Sequence, residues 1–409
     1  MLFKLAWRNI WRQKRRTLLT ASALGLALFL SLFMRSTQEG SYAHNIDTIA
    51  RLSSGLAQLQ NSQYYDSQSI DDLIPGSAAF ISPAREIPDI TFAIPRIETF
   101  SLIAANDKSK GVMVIGIDPE LEAQYSNIEE KIVTGAFLQP GEQQIIIGQS
   151  LANFLNIAIG DEIVLYGQGY RGQTAAGLFT IKGIFHLPQA QLDSQLIYLP
   201  LDTAQKLFST DGQVTNWLIH TDTISHLPKV IEQLKQRYHS NVDVLDWQTL
   251  IPELAQQITL DRVSGIFLMY VLYGVVGFGL FATLLMMTLE RQREFSVMMA
   301  TGMVRQKLLQ LIAIESGFIA MIGIVIGVVI TTPLLLWFSR FPIQLTGETA
   351  AMMEEMGYDP IIPVLLSLDF YYEQILMVLI ILVLCLIYPM FRLYRLEIVA
   401  GLKGGTHAH

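Results

Sequence analysis

Four stretches of this chain are apolar for long enough to cross a bilayer, and they constrain everything else it can be. A helix needs roughly 20 mostly apolar residues to span the hydrocarbon core. Thr17 to Met34, Ser264 to Leu289, Leu308 to Phe338 and Phe370 to Phe391 qualify. The second is uncharged, the third carries Glu315 and Pro333, and the fourth has Glu373 near its start. The first has the basic front of a signal peptide. The MRSTQEG around its end lacks an A-x-A cleavage pattern, so it reads as an uncleaved anchor.

Composition divides the rest. Between Glu39 and Arg262 stand 26 acidic and 13 basic residues, whereas the remainder holds 10 and 15. The chain is therefore an acidic soluble domain joined to a basic-edged membrane part. Its net charge of −8 argues against nucleic acid, which needs clustered Lys and Arg. The single cysteine, Cys385, lies inside an apolar run, allows no intrachain disulfide and reads as a small buried residue.

Short flanks set the orientation. Lys4, Arg8, Arg12, Lys14, Arg15 and Arg16 precede the first stretch. Arg291, Arg293, Arg305 and Lys307 lie between the second and third, and Arg392, Arg395 and Lys403 follow the fourth. The positive-inside bias puts all three groups on the cytoplasmic side, with both termini. The acidic domain and the loop Ser339 to Asp369 then face outward. Leu2, Phe3, Ala6, Trp7, Ile10 and Trp11 share a helical face opposite Lys4, Arg8 and Arg12. That pattern reads as an interfacial helix or as a plain basic flank; the two Trp at helical spacing favour the helix.

The outer domain reads as α+β in two lobes. Residues 36–52 and 249–263 carry apolar residues at helical spacing (Tyr42, Ile46, Ile49; Leu250, Ile251, Leu254, Ile258) and read as stalk helices. Residues 143–149, 161–167, 178–185 and 194–201 read as strands. SLANFLNIAIG opens with Ser150 as N-cap and closes on a Gly, as a short helix would. Residues 216–247 read as strand, helix, strand.

Catalytic signatures are missing. No G-x-x-x-x-G-K-[ST], H-E-x-x-H, C-x-x-C or G-x-S-x-G occurs, so no catalytic, cofactor-binding or metal-ligating residue is expected. His407 and His409, the one close His pair, sit in a Gly-rich tail and are not read as ligands. Glu315 is different, because an ionisable group within a membrane helix marks a functional hypothesis. A coupling or structural hydrogen bond, snorkelling to the inner interface, and a proton relay all remain open. Gly323 and Gly327 give G-x-x-x-G, which lets helix backbones approach closely.

Five segments in order resemble the FtsX/MacB/LolC-type permeases of ABC transporters, sometimes called type VII. LAWRNIWRQKRRTLLT is similar to the family's opening, and VTGAFLQPGEQQIIIGQSLANFLNIAIGDEIVLYG, with IPRIETFSLI and VMVIGIDPE before it, to its outer core domain. DVLDWQTLIPEL resembles the return to the membrane, ERQREFSVMMATGMVRQKLLQLIAIESGF the segment joining the second and third helices, normally a coupling helix, and YPMFRLYRLEIVAGLKG the family's close.

The resemblance implies four transmembrane helices with a large extracytoplasmic α+β domain between the first and second. The divisions are 1–16 cytoplasmic interfacial helix, 17–35 first membrane helix, 36–263 periplasmic core domain with stalk helices, and 264–289 second membrane helix. There follow 290–307 cytoplasmic coupling helix, 308–338 third membrane helix, 339–369 periplasmic loop, 370–391 fourth membrane helix and 392–409 cytoplasmic tail. Glu290, Arg291, Arg293, Glu294, Phe295, Met298 and Gly302 would couple to a partner ATPase, with Phe295, Val297 and Met298 as an apolar face for its groove. Members often place a basic residue where Met299 precedes Ala-x-Gly here, which puts in question a charge pair with the ATPase at that spot.

Further implications are an ABC ATPase dimer that holds ATP and Mg, a second permease copy (identical or related), a periplasmic adaptor or carrier, membrane lipids, and residence in a bacterial inner membrane. The expected work is export or extraction of an amphiphile such as a lipoprotein, lipid, peptide or drug. The competing reading is an FtsX-like regulator of periplasmic cell-wall hydrolases; the extended core domain favours the first. GQGYRGQTAAG, Gly167 to Gly177, has no Pro, unlike the hairpin by which lipoprotein-release permeases recruit a carrier. Met352, Met353 and Met356 offer adaptable contact surface or packing filler.

Overall fold

The computed structural model describes residues 2–239, 241–355 and 358–395. Met356, Lys403, His407 and His409 fall outside them, as does much of the closing segment. Contacts divide the chain into two units. One comprises Met1–Ser41, Thr259–Ile343 and Ile362–His409; the other comprises Tyr42–Ile258 and Gln344–Ile361.

The chain opens with helix α1 (Leu2–Arg12) and the long helix α2 (Lys14–Leu52). The mixed domain then runs through β1 (Ala57–Asn61), α3 (Ala78–Arg85), β2 (Ile90–Ala105), β3 (Lys108–Ile117), α4 (Pro119–Tyr125) and β4 (Ile132–Gly135). It continues with β5 (Gln144–Gly148), α5 (Gln149–Leu155), β6 (Glu162–Gln168), β7 (Thr174–Phe185) and β8 (Leu196–Pro200). It closes with α6 (Leu201–Phe208), β9 (Asn216–Thr221), α7 (Leu227–Arg237) and β10 (Val242–Asp246). Beyond it lie α8 (Pro252–Glu290), α9 (Gln292–Ala300), α10 (Arg305–Arg340), α11 (Glu348–Glu355) and α12 (Leu368–Tyr394).

The domain has two lobes. In the first, strands in the order β10-β1-β9-β2 form an antiparallel sheet joined by α3 and α7, a β-α-β-β-α-β arrangement. The second is inserted between β2 and β9. Its pairings β2-β3-β8-β5-β7-β6 return to β2 and so close a six-stranded ring. Helix α6 packs on that ring where Gly116 leaves room; a Cβ there would lie 2.4 Å from the Ala204 Cβ. Strand β2 serves both lobes, because residues 90–96 pair with β9 and residues 96–105 with β3. Arg96, at the changeover, is fully buried and forks onto Glu122 at 2.5 and 3.1 Å. Burial alone would depress the Arg96 pKa, but the Glu122 carboxylate outweighs it and raises it instead.

Two local expectations need correction. The residue before α5 is Gly148, and no side chain caps it; Ser150 is inside the helix, where its N–H donates to Asp193 Oδ2 at 2.7 Å. A carboxylate from another element thus does the work expected of the serine. Leu250 and Ile251 do not belong to the second stalk helix. They close a separate turn, Trp247–Leu250, capped by Asp246, and α8 begins at Pro252, whose fixed φ suits a first helical position.

In the membrane unit, α2, α8, α10 and α12 are long and apolar enough to cross a membrane. Gly323 and Gly327 seat α10 on α2: a Cβ at Gly323 would lie 2.8 Å from the Ala21 carbonyl oxygen and from the Leu24 Cβ. The G-x-x-x-G pair is thus consumed within this chain. Ser31, Tyr273 and Gln374, all buried, form a polar cluster across α2, α8 and α12. Tyr273 hydroxyl lies 2.9 Å from Ser31 Oγ and also bonds Gln374 Oε1. The only sequence signal of this cluster is a polar residue within each of three apolar runs, and it is not among the expected site residues.

Candidate functional site at the α8–α9–α10 junction

The charged patch between the second and third apolar stretches folds as a helix break, a short helix and a turn. α8 ends at Glu290, Arg291 leaves helical geometry, and α9 starts at Gln292 with Glu294 in its first turn. A carboxylate there complements the positive end of the helix dipole. Gly302 ends the helix with φ +100°, its N–H bonding the Met299 carbonyl while the Met303 N–H bonds that of Met298. This is a Schellman closure, and the left-handed position is one a glycine takes without a Cβ clash. Within the expected coupling helix, residues 290–307, the separate helix is thus Gln292–Ala300 alone; Glu290 ends α8 and Arg305–Lys307 already belong to α10.

Charge pairs fasten this segment to α1, α2 and α10. Arg291 Nη1 bonds Glu315 Oε2 at 2.6 Å, and both side chains are about 5% exposed. Asn9 Nδ2 donates to the other oxygen, Glu315 Oε1, at 2.6 Å. Arg291 Nε reaches Glu294 Oε2 at 3.1 Å. Arg12 Nη2 contacts both Glu294 oxygens, at 2.6 and 2.8 Å. Arg16 Nη1 holds Glu290 Oε2 at 2.5 Å. The Arg12 bond, with help from Arg291, keeps the Glu294 carboxyl below its ordinary pKa. Arg291 Nη2 has no partner among the described residues and stands beside a cavity of about 20 Å³ lined by Thr288, Phe295, Ser316 and Ile319, room for one water.

Of the open alternatives for Glu315, the structure shows a structural ion pair: its oxygens are spent on Arg291 and Asn9. Pairing of this kind is how an ionisable group is tolerated at membrane depth. The expected apolar docking face differs from what the fold presents. Phe295 is 1% exposed and Met299 7%, both in the membrane unit's own core, with Met298 packed against it. Glu290 and Glu294 are engaged within the chain. What faces outward is Arg293, Val297, Ala300, Thr301, Gly302 and Val304, with Val297 46% and Val304 59% exposed. Burial of Met299 accounts for an apolar residue where a basic one was expected. In sequence, Arg12 and Arg16 belong to a basic flank and nothing marks Asn9, so none of the three is legible there as a partner of this segment.

A family model described as MacB-like periplasmic core domain matches residues 17–237, and one described as FtsX-like permease C-terminal matches residues 266–398. The lipoprotein-releasing system transmembrane protein LolC of Xylella fastidiosa is 22% identical over 256 residues, 61% of this chain and 62% of its own length. LolE of the same system in Haemophilus influenzae is 24% identical over 263 residues, covering 60% and 62%. The match therefore spans less than two thirds of these relatives. The periplasmic region of MacB from Actinobacillus actinomycetemcomitans superposes with a TM-score of 0.34 at 15% identity, over 51% of this chain and 95% of that one.

Proposed function

The chain belongs to the FtsX/MacB/LolC-type permeases of ABC transporters, and from that premise we propose that it converts ATP hydrolysis by a separate subunit into movement of an extracytoplasmic domain. The relatives are transmembrane subunits of a lipoprotein-releasing system. By analogy the work here is export or extraction of an amphiphile from the inner membrane or periplasm. The ATPase and its ATP and Mg are supplied by the partner, since this chain has no P-loop. The mixed domain, which lies between the first and second membrane helices in the chain, stands outside; both termini and α9 stand in the cytoplasm. A second permease copy completes the assembly.

One observation carries the reading. α9 offers an exposed strip (Arg293, Val297, Ala300), while ion pairs bind its base to α1, α2 and α10. A push on that strip is transmitted instead of being absorbed by a slack loop. α2 and α8 are each unbroken, over Lys14–Leu52 and Pro252–Glu290, as rods for such a push must be. The match to a core domain over residues 17–237 favours a transporter over a short-domained regulator of cell-wall hydrolases.

The test is reconstitution with a cognate ABC ATPase. Arg293→Glu and Val297→Asp change only exposed positions, so the chain should insert and fold normally yet lose ATPase binding and stimulation. Stimulation that is unchanged in both variants would remove α9 as the contact.

A further inference from the structure

The cations of the first sixteen residues fall into two sets. Arg12 and Arg16 are held by Glu294 and Glu290. Lys4, Arg8, Lys14 and Arg15 are exposed and have no ion-pair partner among the described residues. No Asp or Glu precedes Glu39 to neutralise them locally.

Beside the unpaired set runs an aromatic stripe. Phe3, Trp7 and Trp11, four residues apart, are 66%, 47% and 54% exposed, although Ala6 and Ile10, immediately beside them on α1, are buried. The rings form a string: Trp7 and Trp11 meet edge to face at 5.9 Å, and Phe318 of α10 lies 5.5 Å from Trp7 and 6.2 Å from Phe3. Lys4 and Arg8 each follow a ring by one residue, so cationic and aromatic stripes lie side by side. Rings of this kind settle at headgroup depth, and adjacent cations then meet phosphates, Arg as a two-pronged donor and Lys as a point charge.

We propose that this face is a binding site for anionic phospholipid headgroups of the surrounding bilayer. Zwitterionic lipid would leave four like charges uncompensated, whereas clustered basic residues next to a membrane helix gain from anionic lipid. The same helix is tied through Asn9 to Glu315 and through Arg12 to Glu294, so bound lipid holds α1 and thereby steadies the base of α9. The inference needs the chain to sit in a membrane but does not depend on the ATPase reading.

The experiment uses the full chain in nanodiscs. Trp217, Trp247 and Trp337 are replaced by Phe, leaving Trp7 and Trp11 as fluorophores. Brominated phosphatidylglycerol or brominated phosphatidylcholine is included at equal mole fraction. The phosphatidylglycerol should quench several-fold more. In about 1 M salt, where the Debye length shrinks to roughly 3 Å, the two should become equal in the otherwise unaltered chain. K4Q/R8Q/K14Q/R15Q should abolish the excess, each cation being worth about fivefold in lipid affinity. K131Q/K206Q/K229Q/K235Q removes the same charge from the mixed domain and should keep it. Equal quenching at low salt, an excess indifferent to salt, or loss of the excess in the mixed-domain control would overturn the proposal.

Discussion

Replacing Glu315 by Gln should weaken the membrane unit by more than any exposed substitution. The amide keeps the shape of the carboxylate, and Asn9 retains an acceptor at the position it now contacts at 2.6 Å. The loss is charge. Arg291 is 4% exposed and would face a neutral group. Removing one member of a buried pair costs about 3–5 kcal/mol, because the remaining charge is stranded. Glu294 stays 3.1 Å from Arg291 Nε and compensates in part, so the low end, roughly 3 kcal/mol, is expected. Arg291→Met combined with Glu315→Gln removes both charges and should recover most of the loss, giving a coupling energy of about 2 kcal/mol in the double-mutant cycle. Unfolding in mixed micelles of rising SDS fraction measures all four chains, followed by Trp7, Trp11 and Trp337 after Trp217→Phe and Trp247→Phe. A Glu315→Gln cost below about 0.5 kcal/mol, or strictly additive single effects, would refute the claim that this pair fastens the junction.

Three further outcomes are expected. Glu122→Gln strands the fully buried Arg96 and should destabilise the mixed domain by about 3 kcal/mol, read as a lowered thermal midpoint, with the 3.7 Å Glu98 contact limiting the loss. Gly323→Leu forces side-chain atoms into the 2.8 Å approach of α10 to α2 and should cost about 1–3 kcal/mol in the SDS titration, whereas Gly274→Leu, with open space around it, should cost little. Glu142, held below its ordinary pKa of 4.5 chiefly by its hydrogen bond from Lys182, stabilises the domain above that pH. This contribution disappears as pH falls through the depressed value, so Lys182→Gln should flatten the acid limb of a stability–pH curve.

Hydrophobic length made the membrane stretches legible; a bounded β-branched run did the same for Gln144–Gly148, and alternation for Glu162–Gln168. Ring closure was not legible. It depends on parallel pairing of Met113–Ile117 with Leu196–Pro200, and nothing in either segment names its partner across that separation. Nor does local pattern reveal that one strand changes neighbours halfway along. At the junction, the charges of Glu290, Arg291 and Glu294 stood out at once, but their direction did not. Phe295 looks like an offered anchor until the fold turns it inward, and Glu315 looks isolated until Asn9, 306 positions earlier, arrives beside it.

The strand Ile90–Ala105 has a mechanical consequence. Because one uninterrupted ribbon is hydrogen-bonded first into an open sheet and then into a closed ring, no hinge can operate between the two lobes without tearing ladder bonds. A swing of one lobe against the other therefore has to bend that shared strand itself, together with the ladders on either side of Arg96.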